Sequence, residues 1–420
     1  MQLSDSQSEL SLDEQAKMFI DECHKRDIKV MLDLPSCASV DLFEAEPELM
    51  AFGRNGEDKT PQGWADIRMF EPWSDETKRE LNPKLYEMHR QYVDSCIELG
   101  IDGIRADVAR AKPTEFWDKL IKYSHTKDPE FGWLAESYTY ECASPQVNMM
   151  YDRPEDLLRA GFDDYYGQYH IFYEWKNASE FKDYIKMNLD MSHKLPSGKS
   201  LLGSFLTHDD STSMIHGGEN YCKLTTVLQS TIPMCNPYFI DGFQSGDYYD
   251  YKYRGTINEE TFTNNNVMDE HKYRLAIFNL SRKPGGNSPD IERVMQGCLK
   301  MRSENLDVLA DRHSCFIELD KIGDKNDQII TFARHNNGRT ILVVANKNPN
   351  RNVSGMILIP GLKKEQKLNN MIPEYGEKSE FQVLENVLKV NIAPADAYVF
   401  EIDTPNIEKD RKNHAYRQKV

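Results

Sequence analysis

Three carboxylates in this chain stand where a strand hands over to a loop. Asp107 ends GIDGIRAD, Glu136 ends WLAES, and Asp209 follows FLTH. Parallel α/β barrels keep their working residues at such strand ends. An acid after a strand is often only a helix cap, so one alone would carry no argument. Here Arg105 precedes Asp107 by two residues, and His208 adjoins Asp209. Residues two apart on a strand share a face, so Arg105 and Asp107 are expected to enter one pocket. A guanidinium beside Asp107 favours its carboxylate, while a partly buried Glu136 among other acids is expected to hold its proton longer. Such a set suits chemistry in which one carboxyl works as an anion and another as an acid.

The elements that must position these residues alternate between helix and strand. Ser11 and Glu14 form a capping box, and Leu12, Ala16, Phe19, Ile20 and Cys23 recur at helical spacing. The run Ile28–Leu34 reads as a buried parallel strand. A second helix has Asn82 as cap, Pro83 at its first position and Gly100 just past its end, and it feeds a strand over Ile101–Asp107. Pro113 opens a third helix, with Phe116, Trp117, Leu120 and Ile121 inward, before a strand near Trp133–Ser137. Further strands are predicted near Ala160–Asp163, Ser200–Thr207 and Thr231–Ile240. A last helix runs from Pro289 to about Ser303, with Ile291, Val294, Met295, Cys298 and Leu299 on one face. This alternation means crossover units and a parallel sheet. After about residue 306 the pattern changes: Gln328–Arg334 and Thr340–Asn346 flank Asn337-Gly338, a strong hairpin signal, and Leu388, Val390 and Ile392 alternate. The expected organisation is therefore α/β. A (β/α)8-type barrel portion with about six visible strands occupies 1–305, an antiparallel β-sandwich 306–405, and a charged, frayed tail 406–420.

The 420 residues are 39% hydrophobic and 28% charged, enough for a large core. The formal charge is −17, a surface unsuited to nucleic acid or anionic lipid and better suited to a neutral partner such as a sugar. No stretch is long and apolar enough to span a bilayer. MQLSDSQSEL is polar and acidic, unlike a secretory signal, and a cytoplasmic location is expected. None of the eight cysteines forms a CxxC pair, so reduced thiols are expected. Cys23, Cys96 and Cys298 fall on apolar helix faces.

These residues resemble the α-amylase superfamily of retaining α-glycosidases and transglycosidases. IKVMLDLPSCAS resembles its first conserved segment, GIDGIRADVARA the second, WLAES the third and FLTHDD the fourth. AKPTEFWDKLI, MMYDRPEDLLRAGF and FYEWKN are similar to the maltosyltransferase branch that uses maltose 1-phosphate. The resemblance implies Asp107 as nucleophile, Glu136 as general acid/base and Asp209 as stabiliser of the charged transition state. Arg105 would hold Asp107 ionised, and His208 would hydrogen-bond the sugar. Asp33, Arg110 and Tyr138 are the further substrate-binding candidates. A retaining mechanism needs two carboxyls about 5 Å apart. Of the aromatic residues Trp64, Phe70, Trp73, Tyr138, Tyr140, Tyr165 and Tyr166, a minority is expected to stack on sugar rings.

The sequence departs from the family where Asn-His would end the first segment, since Cys37 and Ala38 stand there. The Asn commonly ligates calcium and Cys is a poor ligand for a hard cation, so no metal or cofactor is expected, with calcium as the alternative. The expected activity is hydrolysis of α-glucans or maltooligosaccharides. The alternatives are transglycosylation and a catalytically impaired carbohydrate-binding relative. A sugar-phosphate enzyme would want a Gly-rich phosphate loop, for which Asp241–Gly246 is a faint candidate. No GxxxxGK[ST], HExxH or GxSxG motif occurs.

Overall fold

The computed structural model describes residues 8–53, 55–60, 67–137, 154–166, 168–192, 198–208, 213–246 and 288–410. They form two compact units. One holds the described residues up to 166 together with 198–200; the other holds 168–192 and those from 201 onward.

The first unit begins with α1 (Leu12–His24). Ser11 Oγ accepts the Glu14 N–H, and the Glu14 carboxylate accepts the Ser11 N–H, as the capping box predicts. Strand β1 (Met31–Leu34) follows. Helix α2 (Pro83–Leu99) starts on Asn82, whose side chain accepts from the Lys84 and Leu85 N–H groups. It stops at Gly100, where φ is 90°, a left-handed conformation that glycine takes without strain. Then come β2 (Gly103–Ala106), α3 (Thr114–Lys127), β3 (Gly132–Ala135), α4 (Pro154–Ala160) and β4 (Asp164–Tyr166). The four strands lie side by side in chain order, all parallel. Asp33 is in register with Arg105, and Arg105 with Leu134. At the other end of the sheet Asp102 accepts the Val30 N–H at 2.8 Å and pairs with His24 and Lys29, fixing the entry to β1. Behind the strands, Trp117, Trp133 and Phe162 meet edge to face, all buried. Each such ring removes 150 Å² or more from water, on the order of 2–3 kcal/mol.

Three sequence expectations are corrected here. β1 is parallel but not buried: Met31 and Leu32 are exposed and only Leu34 is covered, because among the described residues β1 pairs with β2 alone. On α1 only Ile20 is buried, while Leu12 and Phe19 lie 67% and 63% exposed. The strand expected over 160–163 comes later, at Asp164–Tyr166, since α4 extends through Ala160.

In the second unit, α5 (Ala178–Ser192) precedes β5 (Ser200–Gly203), whose first residue belongs to the first unit and donates its N–H to Asp163 O. Helix α6 (Ser213–Thr231) is interrupted at Gly217–Gly218, and β6 (Cys235–Pro237) runs parallel to β5. This completes the six parallel strands that the sequence predicts. Helix α7 (Pro289–Glu304) buries Ile291, Val294 and Cys298, but Leu299, expected inward, is 40% exposed.

The antiparallel region that follows has two sheets. One contains β7 (Cys315–Glu318), β9 (Ile329–Asn336), β10 (Arg339–Asn346), β12 (Asn369–Asn370) and β15 (Ala397–Ile402), in the order β7-β9-β10-β15-β12. The other contains β8 (Asp320–Ile322), β11 (Val353–Leu358), β13 (Glu380–Leu384) and β14 (Val387–Ile392), in the order β8-β11-β14-β13. The β9–β10 hairpin turns at Asn337 and Gly338, both with positive φ, the turn that Asn-Gly favours. Leu342, Val344, Leu388, Val390, Ile392 and Phe400 belong to one continuous core. The tail is not frayed from its start, because Ile407 is fully buried in that core.

Candidate active site

The first three strands end in a hydrogen-bonded ladder that continues past their regular spans. Asp107 N–H donates to Leu34 O and Glu136 N–H to Ala106 O, each at 3.0 Å. Register and the two-residue period place Asp33, Arg105, Asp107 and Glu136 on one face at these strand ends. Their side chains meet on a single guanidinium. Arg105 Nη1 lies 2.6 Å from Asp107 Oδ1 and 3.2 Å from Asp33 Oδ2, and Nη2 lies 3.0 Å from Glu136 Oε2. The Nη2 contact is off hydrogen-bond alignment, so it acts as a Coulombic pair. Burial alone would lower the Arg105 pKa, but Glu136, Tyr166, Asp33 and Asp107 around it push it well above the ordinary arginine value. Glu136 is the drier carboxylate, its side chain 12% exposed against 34% for Asp107. The arrangement sets one accessible and one sheltered carboxylate around a fixed positive charge.

Three further groups shape this geometry, of which only Tyr166 stands out in the sequence, as one of several aromatic residues. Tyr166, at the end of β4, accepts from Arg105 Nε at 3.2 Å and presents its ring to the guanidinium at 5.4 Å. Val108 has φ 42°, a left-handed conformation rare for a β-branched residue, and its N–H donates to Glu136 Oε2 at 2.7 Å. Arg105 and this N–H thus both contact the Glu136 carboxylate. Lys112 is completely buried and donates from Nζ to Ser36 O at 2.8 Å, tying the segment after β2 to the loop after β1. Phe70, Phe116 and Trp117 surround its ammonium, and burial lowers its pKa to about 7. An alternation of strands with acidic ends makes Tyr166 findable in principle, whereas a backbone N–H aimed by strain leaves no trace in residue type.

The remaining sequence candidates fall as follows. Asp209 and Tyr138 lie outside the described residues, as do Trp64 and Tyr140. His208 is half-buried and belongs to the second unit. Arg110 is buried, 4% exposed, in a single turn of 3-10 helix over Ala109–Ala111. Phe70, Trp73 and Tyr165 are buried and serve as packing. Cys37 is buried with its Sγ 3.6 Å from Met69 Sδ, and burial pushes its thiol up to about 12. A thiol that stays protonated is a poor donor to a hard cation. Cys96 and Cys298 are buried free thiols, and Cys23 is half-buried.

No family model matches the chain. It is 26% identical over 278 residues to the α-1,4-glucan:maltose-1-phosphate maltosyltransferase of Corynebacterium glutamicum, which covers 64% of this chain and 35% of that protein. With the enzyme of the same name from Picrophilus torridus it shares 24% identity over 361 residues, 84% of this chain and 50% of that one. The chain thus spans half or less of the length of these curated relatives. Among solved structures, a maltogenic alpha-amylase from Thermotoga neapolitana matches with a TM-score of 0.65 and 17% identity, over 93% of this chain and 81% of that one. An alpha-amylase from Lactobacillus plantarum matches with a TM-score of 0.62 and 15% identity, over 92% and 81%. These likenesses establish the fold as a (β/α)8-type barrel followed by an antiparallel β region. Four segments in order, a barrel fold and sequence relatives within one enzyme branch make the chain similar to members of the α-amylase superfamily.

Proposed function

We propose that the protein is a retaining enzyme acting on α-glucans or maltooligosaccharides through a covalent glycosyl-enzyme intermediate. The observation that carries this reading is the single guanidinium of Arg105 touching both Asp107 and Glu136 at adjacent strand ends. Asp107, the more accessible of the two, attacks the anomeric carbon, and Glu136 protonates the departing glycosidic oxygen. Glu136 then takes a proton from the incoming acceptor as the glycosyl ester is broken. The carboxylate that Arg105 and Val108 contact is what this second half-reaction needs. A bound sugar strips water from the already sheltered Glu136, which favours the protonated form required by the first. Asp209 and His208 complete the proposal as stabiliser of oxocarbenium charge and as a sugar contact, with Asp33, Arg110 and Tyr138 as further substrate-side residues. No calcium or other cofactor enters any step, and a cytoplasmic place of action belongs to the same reading.

Whether water or a sugar hydroxyl receives the glycosyl group divides hydrolase from transferase. The names of the Corynebacterium and Picrophilus relatives favour transfer from maltose 1-phosphate to an α-glucan as the second reading. Incubation with maltooligosaccharides, with and without maltose 1-phosphate, followed by product chromatography tests both. Shortening to small sugars supports hydrolysis, and lengthening dependent on maltose 1-phosphate supports transfer. Asp107→Asn and Glu136→Gln are each expected to lower turnover by about 10³-fold or more with unchanged folding. Retained turnover in either variant would contradict the assigned roles.

A further inference from the structure

The segment that leaves β2 is attached at both ends to the loop that leaves β1. At its start the Asp107 N–H donates to Leu34 O at 3.0 Å, and at its end Lys112 Nζ donates to Ser36 O at 2.8 Å. Between these anchors Val108 takes φ 42°, and its N–H donates to Glu136 Oε2. A β-branched residue in that conformation is strained, and such strain persists only where the surroundings leave the chain no alternative. Two further bonds narrow the choice. The Ala109 N–H donates to Glu136 O at 3.1 Å, and Trp117 Nε1 of α3 donates to Ala109 O at 2.7 Å. Ala109 and Ala111 are buried, and Ala111 belongs to one packed cluster with Cys37, Ala51 and Met69. Lys112 closes the set. It is fully buried, with Nζ 4.8 to 5.8 Å from the ring centres of Phe70, Phe116 and Trp117. An ammonium in so dry a setting is costly, and an apolar side chain of the same length would fill the space without that cost. What an apolar side chain could not do is hold Ser36 O.

We propose that Lys112 is a positioning residue: by holding Ser36 O it keeps Val108 in its left-handed conformation and the Val108 N–H on Glu136. That this clamp serves glycosyl transfer rests on the glucan reading above. A cycle of Lys112→Met, Val108→Gly and the double variant tests it, because glycine takes positive φ without strain. In the protein with Val108, Lys112→Met lets the strained residue relax and its N–H turn away from Glu136. There kcat on maltoheptaose is expected to fall by about ten-fold or more, while KM changes by less than about two-fold. In the Val108→Gly background the same change is expected to lower kcat by about three-fold or less. Urea unfolding should show the opposite coupling. Lys112→Met is expected to lower the midpoint less in the protein with Val108, where relaxation relieves strain, than in the Val108→Gly background. A lysine that only fills the core would give equal losses in the two backgrounds. Equal losses, in turnover or in unfolding, overturn the proposal. Should Lys112→Met fail to fold, Trp117→Phe, which removes the indole donor to Ala109 O, carries the same expectations. A wild type silent on every glucan, with the coupling still present in unfolding, would sink the enzymatic reading and leave the clamp standing.

Discussion

Arg105 and Lys112 are two buried cations within a few residues of each other, and they behave oppositely. Arg105 is surrounded by carboxylates, so its charge is held firmly in spite of burial. Lys112 has three aromatic rings and one carbonyl around it, with Cys37 and Asp107 opposing the effect of burial, and its pKa falls from 10.5 to about 7. The folded protein therefore releases this proton at a lower pH than the unfolded chain does. Between about pH 7 and 10.5 the unfolded state binds more protons, so this residue makes stability rise with pH across that window and fall as pH drops through it. Urea unfolding of wild type and Lys112→Met over that range checks the sign. The gap between the two curves is expected to widen in favour of wild type as pH rises, and parallel curves would contradict the buried, uncompensated ammonium. The sequence makes the carboxylates and Arg105 conspicuous because strand-end acids and a two-residue spacing are visible in one dimension. It hides Lys112 and Val108, whose roles depend on a packing environment and on a backbone angle.

Strands place the site, and the glycines within them set how close the strands come. A Cβ on Gly103 would stand 2.5 Å from Gly132 O and 2.8 Å from Met31 Cε, so β2 can approach β3 in this register only without a side chain there. Arg105 lies two residues further along β2, and its partner Glu136 directly follows β3. Gly103→Ala is expected to lower unfolding free energy by about 1–3 kcal/mol in a denaturant titration. It should also depress turnover, since the β2–β3 separation shifts; full stability would show that the strands have slack. Helix limits were legible where capping chemistry is local, as at Ser11, Asn82 and Gly100. Burial of β1 was not, because an apolar run such as Ile28–Leu34 does not reveal how many neighbours a strand has.

At the scale of the molecule, the antiparallel region is visible in the sequence as a change of period, but the contacts that hold it to its own unit are not. Arg334, buried within β9, donates from Nη1 to Thr231 O at the end of α6 and to Leu309 O. Arg302 of α7 likewise donates to Ser230 O and Cys235 O. Each arginine closes the carbonyls left open at the end of α6, a need set by the helix terminus rather than by either arginine's neighbours in sequence. A fragment of residues 306–410 would expose Arg334 and lose these acceptors. It is expected to show no cooperative thermal transition by circular dichroism, whereas a sharp transition would mean that the sandwich folds by itself. No helix among the described residues is long and apolar enough to cross a membrane.

The most direct test of the account asks which residue becomes covalently attached to sugar. A slowly turning-over fluorinated α-glucosyl or α-maltosyl fluoride, incubated with Glu136→Gln protein to slow release, should add one glycosyl mass to the chain. Peptide mass spectrometry should place it on the segment containing Asp107. A glycosyl adduct mapped to any other side chain, or none under conditions where wild type consumes the reagent, would contradict Asp107 as nucleophile and the double-displacement mechanism with it.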